Sequence, residues 1–139
     1  MVPINYLGVF LAAISFMVLG FLWYSPTLLG KPWMKLKGYS ASTLKTEQKK
    51  MGKFYALSFI LALLTAYILA HVMEFSLNYF HYPRVQTGLT SAFYMWLGFV
   101  MPVQTTTMIF GEKKWKLLAI DTGYQLVGLM LMGTVLGML

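Results

Sequence analysis

The sequence predicts an all-α membrane domain of four transmembrane helices, and three observations lead there. Apolar residues dominate while charge is scarce, four apolar stretches are long enough to cross a bilayer, and the basic residues gather on two of the three connections between them. Of 139 residues, 58% are hydrophobic and 11% charged, with a mean hydropathy of +0.65. A soluble domain is nearer half apolar and a quarter charged, so this chain could not cover a water-facing surface. At this length it forms a single transmembrane domain spanning residues 1–139. The absence of cysteine excludes disulfides and thiolate chemistry.

A bilayer crossing takes about 20 helical residues. The expected helices cover residues 4–24, 54–75, 87–110 and 117–139, joined by connections 25–53, 76–86 and 111–116. The first is a retained helix rather than a cleaved leader. It has no basic start and no small-residue exit, and it runs directly into Trp23-Tyr24, which suit the membrane interface. The third carries Pro102, which cannot donate to the helix ladder and disturbs the preceding turn around Leu97-Gly98.

Lysine placement predicts orientation. Connection 25–53 carries Lys31, Lys35, Lys37, Lys45, Lys49, Lys50 and Lys53 against Glu47, and connection 111–116 carries Lys113, Lys114 and Lys116 against Glu112. The middle connection has only Arg84. Positive-inside counting puts the two lysine-rich connections in the cytoplasm and both termini outside. The net charge of +7 is then a topology signal lying against anionic headgroups of the bilayer. No aromatic–basic alternation accompanies it, so nucleic acid is not an expected partner.

Leu19-Gly20-Phe21, Pro26 and Gly30-Lys31-Pro32-Trp33 have an echo in Leu97-Gly98-Phe99, Pro102 and Gly111-Glu112-Lys113-Lys114-Trp115. If this is a duplication, the two hairpins form a parallel repeat about an axis along the membrane normal. Chance resemblance of glycine and aromatics at membrane ends is the competing reading, and helices two and four show no match.

Polar side chains inside a span need a partner or water, so their positions carry information. An inner group combines Gln104, Thr105, Thr106 and Thr107 with Asp121 and Gln125, near Trp23 and Tyr24. Asp121 lies five residues past Lys116, ~7–8 Å deep. It is the only acid beyond the first turn of any span. The expectation is a polar pocket open to the cytoplasm with Asp121 as its charge. The alternative is that the threonines bond back to their own helix and Asp121 reaches Lys116 or Lys113. At the outer surface His71, Glu74 and His81 are weak metal candidates that read better as interfacial residues, so no metal and no cofactor is expected.

Small residues at four-residue spacing mark close helix packing. They are Gly8 and Ala12, Ala62, Ala66 and Ala70, Gly88 and Ala92, and Gly133 and Gly137. All lie in the outer halves, so the helices should converge outside and diverge toward the cytoplasm. Gly133 and Gly137 also offer a face for a homo-oligomer.

Asn5, the run Leu22-Trp23-Tyr24-Ser25-Pro26 through Gly30-Lys31-Pro32-Trp33, and Gly123-Tyr124-Gln125-Leu126 through Met132-Gly133 resemble a bacterial membrane family catalogued as domain of unknown function 1761, over essentially the whole chain. The resemblance implies a four-helix, multi-pass protein of the inner cell membrane and brings no activity or catalytic residue. No catalytic constellation appears either, so the chain is not expected to be an enzyme. The expected function is an oligomeric channel or transporter for a small solute or ion. A non-transporting scaffold or accessory subunit is the alternative.

Overall fold

The computed structural model describes the backbone of residues 2–38 and 41–139, with the side chains of these residues except 41–51. The side chains of Lys45, Glu47, Lys49 and Lys50 therefore lie outside the described residues. The elements are α1 (Tyr6–Trp23), α2 (Gly30–Lys37), α3 (Ala41–Phe80), α4 (Arg84–Met95), a π-helical segment (Trp96–Val100), α5 (Met101–Ile109) and α6 (Trp115–Met138). Every described element is helical, as the composition led one to expect.

Three of these helices are long and apolar enough to cross a membrane, not four: Tyr6–Trp23, Gly52–Phe80 and Trp115–Met138. The stretch expected to form the third crossing is delivered in pieces, α4, the π segment and α5, none of them of span length. Pro102 is the physical reason. It has no N–H to return to Gly98, and one residue earlier the Met101 N–H bonds instead to the Trp96 carbonyl, five residues back. That is the wide turn of a π-helix. Leu97-Gly98-Phe99 therefore sits in a π turn, whereas its echo Leu19-Gly20-Phe21 lies in uninterrupted α-helix.

Two connections also differ from the expectation. The first contains α2 and the opening turns of α3, whose 40 residues rise about 60 Å. The second shrinks to His81–Pro83 because α3 continues to Phe80. His81 ends that helix with φ of 58°, in the left-handed region where histidine is among the few side chains enriched.

α1, α3, α4 and α6 form an antiparallel bundle in which α6 packs against both α1 and α4, and α3 closes the other side. Two ends can be distinguished: a terminal end, with Asn5, His81 and Leu139, and a lysine-rich end, with α2 and residues 111–116. The buried core belongs to the terminal half. Ala12, Ala13, Ala66, Ala92 and Met132 have no exposed surface, and Leu69 and Met73 almost none. Glycine makes the closest approach possible. A methyl at Gly88 would sit 2.1 Å from the Gly133 carbonyl oxygen, and one at Gly133 2.3 Å from that of Gly88. Gly137 meets the backbone of Arg84 and Val85, and Gly8 lies against Leu136 and Leu139. Gly133 and Gly137 are thus spent inside the chain, against α4, and are buried. They do not present the self-association face expected of them, because the hairpin of α4 and α6 consumes it.

Polar ties finish the terminal end. The Asn5 side chain accepts from the Gly8 N–H at 3.1 Å, capping α1, and donates to the Leu139 carbonyl at 3.3 Å. Arg84 pairs with Glu74 at 3.1 Å and reaches the Leu136 carbonyl, so one guanidinium joins α3, α4 and α6. Only 22–28% of the most apolar window of each long helix is buried. Leu7, Phe10, Ile60, Leu61, Leu64 and Val127 point outward. An outward apolar belt of this kind is what a membrane protein turns toward lipid.

Candidate functional site: an aromatic pocket at the lysine-rich end

The pocket begins with a tight turn after α1. Ser25 Oγ donates to the Leu22 carbonyl at 2.7 Å, and the N–H groups of Leu29 and Gly30 return to the carbonyls of Trp23 and Ser25. A side chain at Gly30 would lie 2.3 Å from the Tyr24 carbonyl oxygen, so glycine is what lets the chain close so tightly. α2 consequently folds back beside the end of α1, bringing Trp33 to 5.4 Å from Tyr24, ring centre to ring centre.

α6 forms the back wall. Tyr24 donates its hydroxyl to Asp121 Oδ1 at 2.7 Å, and Trp23 Nε1 donates to the Ile120 carbonyl at 3.1 Å. Tyr124 donates to the Phe16 carbonyl at 2.9 Å, an orientation open to it because Gly20 has no side chain. A methyl there would fall 2.7 Å from the Tyr124 hydroxyl oxygen. Gly123 lies against the Trp23 ring, which a methyl there would meet at ordinary contact distance, 3.4 Å. α3 supplies the remaining side through Tyr55 and Ser58, with Tyr55 edge-on to Phe21 at 5.3 Å.

Together these elements enclose an open pocket of about 570 Å³, within the size range of small-molecule sites. Its walls are mostly apolar and aromatic: Met17, Phe21, Tyr24, Trp33, Met34, Tyr55 and Tyr124. Among the described residues, two charged side chains reach it, Asp121 and Lys37. The Lys37 ammonium lies over the Trp33 ring, 5.7 Å from its centre, while Asp121 is held by Tyr24. The ion pairs among the described residues are Arg84–Glu74 and Lys114–Glu112, and neither involves Asp121.

The residues singled out from the sequence divide. Asp121 and Tyr24 stand in the pocket, and Trp23 braces it from behind. Gln104, Thr105, Thr106, Thr107 and Gln125 are not among its walls. Thr105 and Thr107 bond back to the carbonyls of Met101 and Val103, and Gln104 Oε1 is buried with no hydrogen-bond partner among the described residues. For the groups carried by α5, the geometry of α6 explains the split. Successive helical residues point ~100° apart, so Asp121 faces α1 while Thr122 faces the π segment, its carbonyl accepting from Trp96 Nε1 at 3.0 Å. A group carried by α5 is on the wrong side of α6 to share Asp121's level.

Trp33, Lys37, Tyr55, Ser58 and Tyr124 were not anticipated in the pocket. Tyr124 had a usable signal, since it lies three residues beyond Asp121 and on the same helical face. The others are brought in by the turn at Ser25 and by the pairing of α3 with α1, which no spacing along the chain encodes. At the opposite end His71 bonds to the Tyr67 carbonyl at 2.9 Å, Glu74 pairs with Arg84, and His81 occupies the turn.

The segments Leu22–Pro26, Gly30–Trp33 and Gly123–Tyr124 thus meet at one place. The model of the family described as Protein of unknown function (DUF1761) matches residues 7–137, nearly the whole chain. No curated protein and no solved structure matches it.

Proposed function

This chain belongs to the family of proteins of unknown function DUF1761, and from that premise we propose that it is a multi-pass protein of the bacterial inner membrane that binds a small solute in the pocket beside Asp121 and moves it across the bilayer. α4, the π segment and α5 together serve as the fourth crossing. Laid end to end they rise about 39 Å, against about 30 Å of hydrocarbon. Positive-inside counting orients the pocket toward the cytoplasm and its lysine-rich rim toward anionic headgroups.

The observation that carries the reading is the pocket of about 570 Å³ with a carboxylate in its wall. A carboxylate withdrawn from water is costly unless it is paired or serves a ligand, and the described residues offer Asp121 a hydroxyl rather than a cation. The dense terminal half supports a transporter over an open channel, because a continuous pore has no room between Gly88 and Gly133. The pocket is walled within one chain, so the reading does not need the oligomer expected from the sequence.

A scaffold or accessory role is the second reading. It is favoured by the way Trp23, Trp96 and Tyr124 spend their donors on backbone carbonyls of neighbouring helices. Flux in vesicles separates the two. Purified protein reconstituted with potassium, chloride and small neutral tracers should pass at least one of them faster than protein-free vesicles, and Asp121→Asn should alter that rate. Equal leak in all three preparations supports the scaffold. Orientation is checked with an impermeant thiol reagent on intact cells: Gln86→Cys should label and Lys113→Cys should not.

A further inference from the structure

We propose that the occupant of the pocket is an amphipathic organic cation, a substituted ammonium carrying an apolar or aromatic body. This inference rests on the reading of the pocket as a solute site and names the chemistry of the solute.

Three features of the pocket select that class. The first is charge. Asp121 supplies a carboxylate whose described partner is the neutral Tyr24 hydroxyl, so among the described residues its charge is oriented but not cancelled. In a mostly apolar surrounding, a cation beside it gains far more than in water. The second is the wall. Tyr24, Trp33 and Tyr124 cluster next to that carboxylate, with ring centres 5.4 Å apart from Tyr24 to each of the others. Phe21 and Tyr55 form a further edge-to-face pair. Aromatic faces attract cations, and they suit substituted ammonium groups whose apolar skin can lie against a ring. The third is that the chain already places a cation there. The Lys37 ammonium stands over the Trp33 ring on an exposed side chain, a tethered occupant of the same ring surface. A diffusible cation entering the pocket displaces Lys37 outward, and the two compete.

An anion is disfavoured by the same geometry. It would have to lie beside Asp121 and, among the described residues, rely on the exposed Lys37. A purely apolar ligand would leave the carboxylate facing hydrocarbon with only one hydrogen bond.

The test uses three probes built on one benzene ring and differing in charge, on the full chain in neutral maltoside micelles: benzyltrimethylammonium, its uncharged isostere neopentylbenzene, and the anion benzenesulfonate. Binding is followed by tryptophan fluorescence and calorimetry. The cation should bind at least about tenfold more tightly than the neutral isostere. Asp121→Asn, which keeps an acceptor for Tyr24, should remove that preference. Lys37→Gln, on an exposed position, should tighten cation binding roughly threefold by removing the competitor. Thermal melting of both variants confirms that they remain folded. Preference for the sulfonate, or cation binding that is the same in Asp121→Asn, overturns the organic-cation inference while leaving a solute pocket in place. If none of the three probes binds and Ser58→Cys in the wall does not react with a small thiol reagent, the inference and the pocket reading fall together.

Discussion

The two ends of the bundle are built from the same four helices by opposite means. At the terminal end, small residues let backbones touch. The cavity there, bounded by Ile4, Asn5, Met73 and Arg84 among others, measures about 10 Å³, about the room needed to admit a single water. At the lysine-rich end, large aromatic side chains hold the helices apart around about 570 Å³. Glycine and alanine bring helices together without hydrophobic driving force from lipid, whereas tyrosine and tryptophan span the distance and bond to backbone at their tips. One half is therefore rigid because nothing fits between its helices. The other is ordered by a few directional bonds, and bonds of that kind can be exchanged for a ligand.

The largest effect that could break this contrast is expected at Gly133. Gly133→Ala puts a methyl 2.3 Å from the Gly88 carbonyl oxygen, against backbone that cannot swing aside. The cost should reach the top of the overpacking range, about 3 kcal/mol, seen as a large fall in melting temperature in detergent. An unchanged melt would mean that α4 and α6 are not in backbone contact. A smaller effect is expected at Tyr24→Phe, which deletes one hydroxyl bond to Asp121 at the open end. It should cost about 1.5–2 kcal/mol in stability while changing ligand binding or flux more visibly. A loss of stability as large as that of Gly133→Ala would show that the pocket is structural. The smallest effect belongs to Gly98→Ala. Nothing lies within 4 Å of the added methyl, and the loss of glycine's freedom in the unfolded chain should leave stability unchanged or raise it by about 0.5–1 kcal/mol. The same substitution thus has opposite signs thirty-five positions apart, and a shared sign would remove the distinction between the halves.

Much of the architecture was legible in the sequence because its signals are local. Apolar length located Tyr6–Trp23 and Trp115–Met138 to within about two residues, and the alanine and glycine spacings fall on the buried faces. Pro102 marked the place where the third stretch is broken, although the π segment itself is not written in any periodicity. Glycine spacing could not say whether the partner of Gly133 is a second copy or Gly88 of the same chain. The pocket was half legible. Asp121 stood out because a carboxylate inside a span is rare, and Tyr24 stood beside it at an interface. Gln104 and the threonines looked equally polar at the same depth, but depth along a helix does not determine which way a side chain points. The turn through Ser25 and Gly30, which folds α2 onto the pocket, depends on backbone contacts between residues that carry no distinctive side-chain signal.

The π segment has a consequence for how this chain can vary. Fitting one extra residue into a turn advances everything after it by one position, about 100° of azimuth. Trp96–Val100 thus works as a phase shifter between α4 and α5: it leaves Gly88, Ser91 and Ala92 facing the core while resetting which side of α5 meets α6. Removing a single residue within 96–100 would take the extra residue out of that turn while Pro102 stays in place. It would nonetheless rotate the whole of α5 and carry Gln104 and Met108 to a different azimuth. Gly98 can be substituted cheaply, whereas Trp96 is tied to the Thr122 carbonyl and a length change shifts all of α5, so the register of the chain at this point keeps the two halves of the third helical rod in their separate roles.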